Sequence, residues 1–234
     1  MKKLLFFIAF SLVLGNVSNA QNINFPKSSD RIYQFPKTGF NLNTQKNLII
    51  PAALISYGFL SLTNTETKEW NSEIRAEIME DHPNFHTKAD NYLQFSPAAI
   101  TFALKASGFK GQNNMWTSAK IYATSSLLMA GTVFALKSIT GEQRPDFSGN
   151  NSFPSGHTAT AFAAAEFMHQ EFKKSSVLLS YSGYVAASAT GSLRMLNNKH
   201  YLSDVLAGAG IGILTTKGAY WLNNKFFNSH KRKR

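Results

Sequence analysis

Pro154-Ser155-Gly156-His157-Thr158-Ala159-Thr160-Ala161-Phe162 reads as the entry to a helix. Ser155 suits the N-cap, where its hydroxyl can accept from a first-turn amide. Gly156 lets the backbone approach a ligand closely. Amides at such a helix start point at an anion. Alone, the stretch could be an ordinary cap with an incidental histidine. From His157 the helix is expected to run through Phe162–Phe172, and the apolar segments on either side have the same character. Leu48–Leu62, Tyr92–Ala106, Ile121–Leu136, Val177–Leu193 and Val205–Leu222 read as helices, with a shorter one around Trp70–Met79. Ala, Leu and Met dominate them, and period-two alternation is not sustained. The fold class expected is all-α, a helical bundle of about six core helices. No internal repeat is evident.

The length of 234 residues suits one sizeable domain. Its start does not read as part of that domain. Lys2 and Lys3 precede an apolar run from Leu4 to Leu14, and Ser18-Asn19-Ala20 offers small residues at a cleavage site. Residues 1–20 therefore read as a signal peptide, cut before Gln21. Residues 21–46, with Pro26 and Pro36, form an irregular lead-in, 47–228 the folded domain, and 229–234 a basic tail. The absence of cysteine excludes the small disulfide-stapled class, thiolate catalysis and Cys-ligated metal. With 24 Lys+Arg against 13 Asp+Glu, the net charge is +11. Lys231–Arg234 supply four of those charges and read as a solvated end. The remainder fits an anionic substrate or an anionic membrane surface, and no nucleic-acid partner is expected.

Two settings compete. The apolar cores are about 15–18 residues long, at or below the length that spans a bilayer. Lys217 interrupts the last helix, and mean hydropathy is −0.17. After a cleaved signal peptide, six spans would also leave Lys173-Lys174 and the basic tail outside, against the positive-inside tendency. An exported, periplasmic domain beside the membrane avoids that conflict; an integral membrane protein is the alternative.

Two further clusters flank the helix entry. One is Lys137-x6-Arg144-Pro145, the other Arg194-x5-His200-x3-Asp204. Lysine offers a compact charge and arginine a planar fork for phosphate oxygens. Each could be solvated when met alone. Spacing of i, i+4 would set His200 and Asp204 on one helix face. A carboxylate on Nδ1 would leave Nε2 free to attack phosphorus, although the pair could also be a helix-entry hydrogen bond.

Together the three clusters resemble the tripartite signature of the type 2 phosphatidic acid phosphatase and vanadium haloperoxidase superfamily, over about 70 residues from Lys137 to Asp204. The resemblance implies a phosphatidic acid phosphatase type 2-like domain over 47–228 and metal-independent hydrolysis of phosphate monoesters, of lipid or of small molecules. In that scheme Lys137, Arg144, Ser155, Gly156 and Arg194 bind phosphate. His200 is the nucleophile that forms a phosphohistidine, Asp204 orients it, and His157 protonates the leaving group. No cofactor is implied, although the same site in a haloperoxidase would hold vanadate. One departure is Leu193, where the family usually has a small residue, often serine, before the arginine. A non-catalytic envelope protein that binds anionic lipid is a third reading.

Asp81, His82, His86 and Asp90 also carry metal-ligating groups. Pro83 and Asn84 argue against a regular helix presenting both rings, so a surface loop near the active-site mouth is expected instead. Trp70, Trp116 and Trp221 read as core or interfacial anchors.

Overall fold

A computed structural model describes residues 46–227. The expected signal peptide and basic tail, and the lead-in up to residue 45, lie outside the described residues. Eight helices and no strand occur among the described residues: α1 Lys46–Thr63, α2 Thr65–Asp81, α3 Ala89–Leu93, α4 Ser96–Ala106, α5 Met115–Thr140, α6 Gly156–Phe172, α7 Val177–Leu196 and α8 Leu202–Phe227. The all-α expectation holds.

Local chemistry sets most of the boundaries. Asn64, Asn114, Ser155 and Ser176 cap α2, α5, α6 and α7, each accepting from an amide three residues on. Gly141 ends α5 in the left-handed conformation at φ 56°, which costs glycine nothing. The expected helix over Tyr92–Ala106 is instead two pieces, α3 and α4. The chain turns at Gln94–Phe95, and Pro97 stands in the first turn of α4, where its missing amide hydrogen costs no helical bond. Around Trp70, α2 is longer than expected.

α6 is the axis of the bundle. Thr158, Ala159 and the whole run Ala161–Met168 are buried, as expected of a helix enclosed on all sides. α8 runs parallel to it: Ser155 lies beside Asp204, Ala163 beside Thr216 and Phe167 beside Tyr220. α7 runs antiparallel to α6, pairing Thr158 with Gly191 and Ala165 with Gly183. α5 is likewise antiparallel, with Ser125 on Thr216 and Val133 near Gly156. The starts of α6 and α8 therefore meet the ends of α5 and α7 at one end of the bundle.

Close backbone approach holds α8 in place. A Cβ on Gly208 would meet the Ser155 carbonyl oxygen at 2.5 Å, and one on Gly212 would collide with the Ala159 carbonyl oxygen. On the opposite side, a Cβ on Gly210 would meet Pro51 O of α1 at 2.6 Å. Deeper in the bundle, the rings of Phe102, Tyr122 and Tyr220 lie 5.4, 4.9 and 6.5 Å from that of Phe167. Truncating Phe167 to Ala would cost about 3–5 kcal/mol.

The span estimate from sequence needs correction. At 26 residues, α5 is long and apolar enough to cross a membrane, and only 22% of its apolar window is buried. α1 and α2 pass the same test only as a pair bent by 100°. Six spans are therefore not supported among the described residues, and the charge conflict built on six spans loses its premise. Leu127, Phe134 and Ile139 of α5 are exposed by 73–78%. Trp70, Trp116 and Trp221 are exposed rather than core.

Candidate active site

The three clusters converge where those four helix ends meet. Lys137 occupies the last turn of α5 rather than its end, and its ammonium donates to the carbonyls of Asn151 and Ser152. Arg144 lies in the loop beyond, its Nε donating to Asn151 Oδ1 at 2.7 Å. Arg194 sits in the last turn of α7 and is buried. Lysine and arginine at these C-terminal turns also suit the helix dipoles, while the positive ends of α6 and α8 face the same space.

His200 precedes α8 and is 3% exposed, and Asp204 lies in the first turn of that helix. Asp204 Oδ2 stands 3.4 Å from His200 Nδ1. The same oxygen accepts from Ser152 Oγ at 2.5 Å and from the Tyr201 amide at 2.9 Å. Burial pushes the His200 imidazole down to about 4, and the charges of Arg194 and Lys137 push the same way against Asp204. The ring is thus neutral near neutral pH, the state a histidine nucleophile requires.

His157, in the first turn of α6, is half-buried. Its pKa is lowered by burial and by Arg194, Arg144 and Lys137, with Asp90 opposing. All three cations act on this ring, so the expected phosphate-binding charges surround one space. Ser155 is fully buried, and its hydroxyl is spent within the helix start on Thr158. Its amide donates to the Asp204 carbonyl at 3.0 Å, tying the second cluster to the third. A Cβ on Gly156 would have Val133 at 3.7 Å as its nearest neighbour.

Asp90 departs most from expectation. It is not part of a loop beside a histidine pair; it lies buried in α3, 2.7 Å from Arg194. Asn91 Oδ1 lies 2.7 Å from His157 Nε2. Asn197 and Thr87 exchange two hydrogen bonds of 2.9 Å, which tie the segment before α3 to the end of α7. His82 and His86 are exposed. Sequence reasoning missed Ser152, Asn91, Asn151 and the role of Asp90. Ser152 stands two residues before Pro154 and was within reach of the motif; nothing local marks the others.

Residues 148–228 match the family model described as PAP2 superfamily. The "Lipid A 1-phosphatase" of Porphyromonas gingivalis is 43% identical over 147 residues, which is 62% of this chain. The chain spans 33% of the length of that relative. Among solved structures, LpxE of Aquifex aeolicus matches with a TM-score of 0.46 and 21% identity, over 62% of this chain and 93% of that one. A transmembrane PAP2 type phosphatidylglycerolphosphate phosphatase of Bacillus subtilis matches with a TM-score of 0.48 and 19% identity, over 76% and 97%.

Proposed function

We propose that this chain is a phosphatase of the PAP2 superfamily, whose family model matches residues 148–228, that it hydrolyses a lipid phosphate monoester without a metal, and that the phosphate on a lipid A-type glycolipid is its first candidate substrate. The observation that carries the reading is a buried, neutral His200, braced through Nδ1 by Asp204 and set among Lys137, Arg144 and Arg194. The cations would hold the phosphate oxygens, where charge gathers during transfer. Nε2 of His200 would attack phosphorus while the ester oxygen leaves with a proton from His157. Water, deprotonated by His157, would then cleave the phosphohistidine and release phosphate. Ser152 and the Tyr201 amide, both donating to Oδ2, would keep the Asp204 carboxylate aimed at His200. The scheme needs no cofactor, and vanadate would bind only as a phosphate mimic.

Membrane association supports a lipid substrate. α5 turns Leu127, Phe134 and Ile139 outward, and burying such side chains against acyl chains is favourable by about 25 cal/mol per Å². Export, which rests on residues 1–20, would place the site in the periplasm.

The test is a phosphate-release screen of the purified protein in detergent. It compares lipid A, phosphatidic acid, phosphatidylglycerol phosphate, an isoprenyl diphosphate and soluble monoesters, with and without EDTA. Release from a lipid phosphate that is indifferent to EDTA and blocked by orthovanadate is the expected outcome. Vanadate-dependent halide oxidation without phosphate release would sink the reading.

A further inference from the structure

We propose that helix α3 supplies two positioning residues, Asp90 for Arg194 and Asn91 for His157, so that this short segment aims one phosphate-binding cation and the leaving-group acid. The inference rests on the phosphatase reading above and concerns residues outside the three clusters.

The Asp90 pair is built for aim more than for saturation. An arginine and a carboxylate can form two parallel hydrogen bonds. Here Asp90 Oδ2 takes one guanidinium nitrogen at 2.7 Å, while buried Arg194 Nε and buried Asp90 Oδ1 have no hydrogen-bond partner among the described residues. An unmatched buried donor is costly unless a ligand completes it. A phosphate oxygen would supply that acceptor. The fork is therefore anchored by one nitrogen and leaves others to the substrate. Asn197, whose amide lies 3.4 Å from the same Asp90 oxygen, ties the anchor to the end of α7.

Asn91 supports the same idea independently. It is exposed, and a hydrogen bond at an exposed rim contributes little to stability. Accepting from Nε2–H, its side-chain oxygen fixes the plane and tautomer of the His157 ring, and leaves the mobile proton on Nδ1. The charged groups that act on this ring are Arg194 from α7, Arg144 from the loop after α5, Lys137 from α5 and Asp90 from α3. Among these, Asp90 alone favours the protonated ring, which is the form a general acid needs.

The experiment compares kcat/KM for octyl phosphate, a poor leaving group, with p-nitrophenyl phosphate, a good one, in the full-length protein in detergent. Asn91→Ala should lower the octyl value about 10- to 100-fold, since small misplacements cost on that scale. The p-nitrophenyl value should fall by only a few fold, because a good leaving group needs little protonation. Asn91→Asp, which keeps the acceptor, should restore most of the loss. Asp90→Asn should move the basic limb of the octyl pH profile to lower pH. Equal losses on both esters with Asn91→Ala, or an unmoved limb with Asp90→Asn, would overturn the inference. An inactive wild type would instead overturn the phosphatase reading on which it rests, so the two failures are distinguishable.

Discussion

The bundle contains two polar clusters of opposite character, both touching α6. At its start, three cations converge while Arg194 Nε and Asp90 Oδ1 go unmatched among the described residues. Ten and fifteen residues on, about 15 and 22 Å along the axis, Glu166 and Glu171 are each 1% exposed and closely partnered. Glu171 takes Lys105 Nζ at 2.7 Å, Asn113 Nδ2 at 2.8 Å and Tyr220 OH at 2.7 Å. Glu166 accepts from Lys217, Tyr184 and Gln170. Charges that satisfy one another hold helices together. Charges left in excess and incompletely paired wait for something else.

The comparison breaks most severely at His200. His200→Ala should reduce phosphate release to background while circular dichroism stays unchanged; retained turnover would remove the nucleophile from the scheme. Next, Lys105→Ala leaves Glu171 without its cation and should cost about 3–5 kcal/mol in stability. Its folded fraction should nonetheless keep the wild-type kcat/KM, measured below the lowered melting temperature. Equal damage to KM would mean the far cluster also serves the substrate.

Smaller effects sharpen the contrast. Ser152→Ala removes a hydrogen bond to the Asp204 carboxylate, worth about 1.5–3 kcal/mol, and should lower kcat at least tenfold with KM little changed. The pH profile of kcat/KM should be bell-shaped. In the proposed scheme His200 acts unprotonated, and it is held at about 4, so activity should be lost as pH falls through that value. In the same scheme His157 acts protonated, and its pKa is lowered from the ordinary 6.5, so activity should be lost as pH rises through a value under 6.5. An optimum at alkaline pH would overturn that assignment.

What the sequence made legible divides by range. The start of α6 could be read because Ser155 and Gly156 act on their own neighbours. The gathering of Lys137, Arg194, His200 and Asp204 at helix ends followed from where apolar runs stop. The start of α5 was understated because Trp116, Thr117, Ser118 and Lys120 extend it before its apolar stretch. Asp90 could not be assigned, since its partner lies 104 residues away and no periodicity links them. Lys217 looked like an interruption of an apolar helix until Glu166, 51 residues earlier, appeared beside it.

The alternate glycines of α8 have a bearing on how this protein can change over generations. Gly208 and Gly212 seat one side of the helix on α6, and Gly210 seats the other on α1. Main chain meets main chain there, so the placement of Asp204 depends little on which apolar side chains fill the periphery. Outward-facing residues can therefore drift with the surroundings, while the three glycines cannot. Descendants should diverge widely on the surface of α5 and keep the same catalytic registration.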